Sequence, residues 1–213
     1  MFFLFILTVL KVSADEPRFL SELFNKGTLI YSDDFEQGFD LERWQPRTKK
    51  WEVKNGQLIG IPSYLNAKEA EKALGRDHHL GLGPVIRLEK LPQSFVCHIR
   101  FMYEGLAYTA ARPKLDIGHH INNLFFRKGG YTLKLSEGTV FENTKSGFEL
   151  NEWMDLIIEF KPGKLLLNLN GQQAIYEHKE VNLKSRDEIT FKALEASDSR
   201  LLFDFVRIWK GSL

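Results

Sequence analysis

The sequence predicts an all-β fold, an antiparallel β-sandwich or jelly roll with one or two short helices. Ten or more short segments alternate apolar and polar side chains, as half-buried strands do. Turn dipeptides such as Asn55-Gly56, Pro162-Gly163 and Asn170-Gly171 separate them. Only one segment has a strong helical pattern, so a repeating β/α arrangement is excluded. No internal repeat or long linker divides the chain, and we expect one domain over residues 15–213.

The segment Ser94–Gly105 is predicted to be the central strand. Its two faces alternate between an apolar set (Phe95, Cys97, Ile99, Phe101, Tyr103) and a mixed set (Val96, His98, Arg100, Met102, Glu104). The first face is expected to pack in the core, and the second to be solvated or to form a binding surface. Leu115–Arg127 is expected to return beside this strand, as one or two strands broken near Gly118.

The remaining elements follow in order along the chain. A short possible helix, Pro17–Phe24, precedes a strand at Leu29–Tyr31 and a hairpin whose turn is Asn55-Gly56. Asn66–Leu74 is the best helix, with Asn66 as N-cap, Glu69 in the capping-box position and Gly75 at its end. Further strands are predicted at Pro84–Leu88, Tyr131–Leu135, Met154–Phe160, Leu165–Asn168, Ala174–Glu177 and Leu202–Trp209.

The charge balance of 29 Lys+Arg against 28 Asp+Glu argues against a nucleic-acid or anionic-membrane partner. The only cysteine, Cys97, cannot form an intramolecular disulfide and is expected to be a buried packing residue. We also expect a monomer.

The first fourteen residues, MFFLFILTVLKVSA, resemble a signal peptide. The apolar run Phe2–Leu10 is too short to span a bilayer, and Val12-Ser13-Ala14 has the small residues of a cleavage site. No positive charge precedes the run, so a buried first strand or an uncleaved anchor is the alternative. Cleavage after residue 14 predicts a secreted, periplasmic or cell-envelope protein with no later transmembrane segment.

Histidines offer the most plausible chemistry. His119-His120 follows Gly118, and an imidazole is the usual general base near neutral pH. Because neighbouring strand residues point to opposite faces, only one of the two is expected to face a given site. The alternative is a hydrogen-bonded surface pair, just as the row His98, Arg100 and Glu104 is either a ligand-binding face or a salt-bridged solvent face.

Metal, cofactor and nucleophile motifs are weak or missing. An Asp77-His78-His79 cluster and the acidic turn Asp33-Asp34-Phe35-Glu36 are the nearest approaches to metal sites, but no His-Glu-x-x-His or thiolate cluster occurs, and we predict neither metal nor cofactor. No Gly-x-Ser-x-Gly or phosphate-binding loop occurs. Glu104 and Asp116 lack the Glu-x-Asp-x-x-Glu spacing of sandwich-fold glucanases.

A series of motifs in order resembles the 3-keto-disaccharide hydrolase-like domain family, whose members have a concanavalin A-like lectin/glucanase fold. The motifs lie over about Leu29–Lys210 and are YSDDFEQGFDLERW, WEVKNGQLIG, HHLGLGPVIRL, FVCHIRF, GHHINNLFF, EWMDLIIEFKPGKLLLNLNG and FDFVRIW. The resemblance implies an exported protein that acts on sugars whose C3 hydroxyl has been oxidised to a ketone. Such a ketone acidifies the C2 proton, so a base removes it, the C1 substituent leaves, and water then adds.

Local chemistry suggests which residues would perform this reaction. His119 or His120 is the candidate base, Arg100 or Arg127 would stabilise the enolate, and Glu104 would be a partner or acid. Candidate substrate contacts are His98, Arg127, Asp116 and Trp153. The alternative is a non-catalytic, lectin-like carbohydrate-binding module, because the chain has no obvious pair of catalytic carboxylates.

Overall fold

The computed structural model describes residues 18–75, 82–108, 113–183 and 186–213, which form two antiparallel sheets packed as a β-sandwich of the jelly-roll type. In these residues the elements are β1 (Lys26–Asp33), β2 (Trp44–Pro46), β3 (Trp51–Lys54), β4 (Gln57–Gly60), α1 (Ala67–Leu74), β5 (Val85–Leu88), β6 (Phe95–Glu104), β7 (Lys114–Ile117), β8 (Asn122–Arg127), β9 (Gly130–Leu135), β10 (Val140–Asn143), β11 (Met154–Lys161), β12 (Lys164–Leu169), β13 (Gln172–Glu177), β14 (Ile189–Lys192) and β15 (Arg200–Ser212). The predicted all-β sandwich is confirmed.

Sheet A has the strand order β13-β12-β11-β6-β15-β4-β3, and β1 also pairs with β15. Sheet B has the order β10-β9-β8-β7-β14-β5-β2. The longest strand, β15, therefore pairs with β6 on one side and with both β1 and β4 on the other.

The two sheets meet over an aromatic core. Phe101 on β6 of sheet A has its ring centroid 6.1 Å from that of Phe126 and 5.8 Å from that of Phe191, both on sheet B. Tyr103 packs against the same group, and all four side chains are fully buried. The predicted apolar face of β6 is thus confirmed as the core face.

The predicted partner of β6 is wrong. Leu115–Arg127 forms β7 and β8 in sheet B, whereas β6 pairs with β11 and β15 in sheet A. Alternation along one strand identifies the buried face but carries no information about which strand lies beside it.

The predicted turns and the helix α1 are confirmed. Asn55 and Gly56 have φ angles of 53° and 67°, the positive values that a two-residue hairpin turn requires. The side chain of Asn66 accepts a hydrogen bond from the Glu69 backbone N–H at 3.0 Å, and Gly75 ends the helix with a φ of 68°.

The second predicted helix is not present in residues 18–24. Instead, the Glu159 carboxylate accepts hydrogen bonds from the backbone N–H groups of Glu22 and Leu23, at 3.0 and 2.8 Å. The Ser21 hydroxyl accepts another from Phe24. Side-chain oxygens thus accept hydrogen bonds from backbone N–H groups of this segment, in competition with helix formation. The segment packs on the outer face of sheet A. Pro17 and the predicted signal peptide, residues 1–14, lie outside the described residues.

Cys97 is fully buried in the core on β6, and this burial raises the pKa of its thiol well above the ordinary value. We expect the native protein to give no rapid reaction with a thiol-specific reagent such as dithionitrobenzoate, because the reactive thiolate is absent. The same assay in denaturant should titrate one thiol per chain. Fast labelling of the native protein would contradict this burial.

No helix in the described ranges has the length and apolar character needed to cross a membrane.

Candidate functional site

The structure divides the predicted site residues between the outer faces of the two sheets. His98, Arg100 and Glu104 project from β6 on the outer face of sheet A. Asp116, on β7, projects from the outer face of sheet B, where His119 and His120 lie. The outer faces of a sandwich point in opposite directions, so these two groups do not meet at one ligand.

On sheet A, each of the three side chains His98, Arg100 and Glu104 interacts with a neighbouring side chain. His98 Nε2 lies 2.7 Å from an Asp155 carboxylate oxygen, and Arg100 lies over the Trp153 ring with its guanidinium carbon 5.5 Å from the centroid. Glu104 forms a long ion pair, 3.7 Å, with Arg200.

Arg127 lies at the end of β8 and donates to Glu142 at 3.1 Å. It is on the outer face of sheet B but does not line the pocket described next.

A pocket of about 230 Å³ lies on the outer face of sheet B. Cationic and imidazole side chains dominate its lining, which consists of Arg47, Val85, Arg87, Lys114, Asp116, His119, His120, Thr190 and Lys192. These residues come from β5, β7, β14 and the segments that follow β2 and β7, so the sheet brings together positions far apart in the chain. We call this the sheet B pocket.

Both neighbouring histidines face this pocket, contrary to the prediction that only one would. They lie in a turn rather than a strand: the Ile121 backbone N–H donates to the Gly118 carbonyl at 3.1 Å. Gly118 and His120 have φ angles of 69° and 58°, in the left-handed region. The turn removes the strand alternation, and the two imidazole centroids lie 4.4 Å apart.

His119 forms the first histidine–carboxylate pair of the pocket. Its Nδ1 lies 2.9 Å from Oε1 of Glu188, whose side chain is 5% exposed. The same carboxylate oxygen lies 3.6 Å from Arg87 Nε and within 3.5 Å of the Thr190 hydroxyl. Glu188 is the partner of Nδ1, and among the described residues no hydrogen bond engages the Nε2 atom of His119, which can therefore face a ligand.

His120 forms the second pair, with Asp116. Its Nδ1 lies 3.3 Å from Asp116 Oδ2, while Lys114 Nζ lies 2.8 Å from Oδ1 of the same carboxylate. Burial raises the pKa of Asp116 above its ordinary value, although Lys114 opposes the shift. Partial burial lowers the pKa of His120, against the opposing effect of Asp116. The lowered pKa favours the neutral form of the His120 imidazole, whose side chain is 67% exposed.

The sequence did not single out Glu188, Arg87, Thr190, Lys192, Lys114 or Arg47. Glu188 and Arg87 lie 69 and 32 positions from His119, and only the order of the strands β5-β14-β7 brings them beside it. The outward positions Thr190 and Lys192 alternate with buried Ile189 and Phe191, but β14 has only four residues. Such a short strand gives a weak local signal.

The described residues contain no group of three or more His, Cys, Asp or Glu side chains placed to hold a metal ion. His78 and His79 lie outside the described residues.

No family model and no curated protein matches the chain in sequence. Solved structures do match its fold. A GlcNAcα1-4Gal-releasing endo-β-galactosidase from Clostridium perfringens superposes with a TM-score of 0.60 at 12% identity, over 92% of this chain and 67% of that chain. A family 7 alginate lyase in complex with substrate gives a TM-score of 0.56 at 10% identity, over 84% and 97%.

A sialidase gives a TM-score of 0.57 at 8% identity over 84% of this chain, but this chain spans only 18% of its length. At such identities the likeness shows the fold.

Proposed function

We propose that the sheet B pocket processes a 3-keto-glycoside by general-base elimination followed by hydration. The observation that carries the proposal is the His119–Glu188 pair beside a second histidine and several cations in one pocket. The residue types match the chemistry, which needs a base near C2 of the sugar and a positive group near the oxygen of the developing enolate.

His119 is the base in this proposal. Its Nε2 takes the C2 proton, the C2–H electron pair forms the enolate, and the enolate then expels the C1 oxygen substituent. Glu188, hydrogen-bonded to Nδ1, orients the ring and stabilises the imidazolium that forms. The imidazolium returns its proton to the departing oxygen, and water adds across the resulting C1=C2 double bond to give the free 3-keto sugar.

The cationic side chains of the pocket supply the positive group that the reaction needs near the enolate oxygen. Arg87 and Lys192 lie on adjacent strands at the outer face and line the same pocket as the histidines, so they are candidates to donate to the enolate oxygen. His120, whose ring lies 4.4 Å from that of His119, would contact sugar hydroxyls. This assignment replaces Arg100, Arg127 and Glu104, none of which lines the pocket.

Size and fold support a sugar ligand. The volume of about 230 Å³ is below the range of about 300–1,000 Å³ usual for drug-sized ligands, which suits one sugar ring more than a long oligosaccharide. Structures of similar fold carry names of glycan-processing enzymes, an endo-β-galactosidase and an alginate lyase. Together with the signal-like residues 1–14, this favours action on glycans outside the cytoplasm.

The decisive test is turnover of a synthetic 3-keto-glucoside by the purified chain, followed by release of the C1 alcohol and by NMR in D₂O. We expect release of the alcohol with deuterium incorporated at C2, and no turnover of the matched glucoside that has a C3 hydroxyl. Turnover without deuterium at C2 would contradict elimination. Saturable binding of the unoxidised glycoside with no turnover of either would instead identify a carbohydrate-binding module.

A further inference from the structure

Three positive side chains lie in one row across sheet B and line the sheet B pocket. Lys192 on β14 pairs directly with Lys114 on β7 and, on its other side, with Val85 on β5. Arg47, next to β2, donates its backbone N–H to the Val85 carbonyl and so extends the row by one strand. We call Arg47, Lys192 and Lys114 the cation row.

The cation row brings like charges close together. Like charges on directly opposite residues of an antiparallel pair destabilise the sheet, and Lys114 and Lys192 are such a pair. Lys114 is partly compensated by Asp116 at 2.8 Å, and Lys192 by Glu195 at 2.6 Å. Arg47 forms no side-chain ion pair with any of the residues that the structure describes.

Among the described residues that line the pocket, cationic side chains outnumber carboxylates. Arg87 shares the buried Glu188 with His119, so that carboxylate is already used by two partners. On the cation row two lysines lie opposite each other, and Arg47 is without a side-chain ion pair among the described residues. An anion placed over the row would relieve the repulsion and use the planar donor fork of Arg47.

We propose that the saccharide bound here carries an anionic group, a carboxylate or a sulfate, which the cation row holds. The inference rests on the proposed function, since it names the substrate class of the same pocket. The row lies close to the histidines, because Lys114 Nζ is 2.8 Å from the Asp116 carboxylate, which also contacts His120. The anionic group thus belongs on the reacting sugar or on its immediate neighbour.

Isothermal titration calorimetry with the whole chain tests the inference. It compares three disaccharides of the same linkage, which carry neutral glucose, glucuronate or glucose sulfate at the same ring position. We expect at least one anionic sugar to bind about tenfold or more tighter than the neutral one, in a salt-sensitive manner. Arg47→Gln should remove most of that preference and leave neutral binding unchanged. The carboxylate and sulfate arms then show which anion the row prefers.

Lys134→Gln is the matched control, because Lys134 is exposed on the outer face of sheet B but outside the pocket. Equal binding of neutral and anionic sugars, no binding of any of them, or an equal loss in Lys134→Gln overturns the inference. Its failure is separable from that of the proposed function. Equal kcat/KM on neutral and anionic 3-keto-glycosides would support the proposed reaction and contradict the anion site. Anion-selective binding without any turnover would support the anion site and contradict the proposed reaction.

Discussion

Replacing His119 with alanine is expected to lower kcat/KM for a 3-keto-glucoside by about a hundredfold or more. The variant removes the imidazole whose Nδ1 is held by the buried Glu188, and with it the group that takes the C2 proton. Positioned general bases contribute about 10²–10⁴-fold to the reactions they assist. Initial rates of alcohol release across a range of substrate concentrations measure the effect.

A matched control exists on the opposite face of the sandwich. His98 also pairs with a carboxylate, Asp155, at 2.7 Å, but it lies on sheet A. His98→Ala should retain nearly full activity, and His120→Ala should lose less than His119→Ala because its side chain is more exposed and its carboxylate contact longer. Equal losses in His98→Ala and His119→Ala, at equal thermal stability, would show that the sheet B pocket is not the catalytic site.

Phe101→Ala is expected to destabilise the fold by about 3–5 kcal/mol, the usual cost of truncating a fully buried phenylalanine. The ring bridges the two sheets by packing against Phe126 and Phe191, so its removal leaves a cavity at their junction. Urea unfolding at equilibrium, followed by tryptophan fluorescence, gives the change in free energy of unfolding.

Phe205→Ala provides the comparison for this stability measurement. Phe205 is partly exposed on the outer face of sheet A, where it contacts His98 and Arg207. Its truncation removes less buried surface and should cost clearly less than that of Phe101. Equal destabilisation by the two variants would contradict the assignment of Phe101 to the centre of the core.

Local patterns predicted the parts of this fold that depend on neighbouring residues. Alternation along β6 identified Cys97 and Phe101 as core residues, and the Asn66 cap and Asn55-Gly56 turn were recognisable because they satisfy backbone requirements within a few residues. These features need no knowledge of the rest of the chain.

The sequence predicted only part of the candidate site, because its other residues are brought together by long-range strand pairing. His119 and His120 were identified, but their carboxylates and cations lie on strands whose pairing is decided over long sequence distances. The assumption of strand geometry at His119 also failed, because Gly118 begins a turn there. Arg100 and Glu104 were grouped with the histidines since β6 was expected beside β7, which is a question of topology rather than of pattern.

The position of β15 has a consequence for how this chain folds. Its thirteen residues, Arg200–Ser212, lie between β6 on one side and β1 and β4 on the other. Synthesis therefore completes β1, β4 and β6 long before the strand that joins them, and the partner of β1 lies about 180 positions later in the chain. We expect slow, late closure of the sandwich, with the edges of β1, β4 and β6 open to chaperones until the last strand inserts.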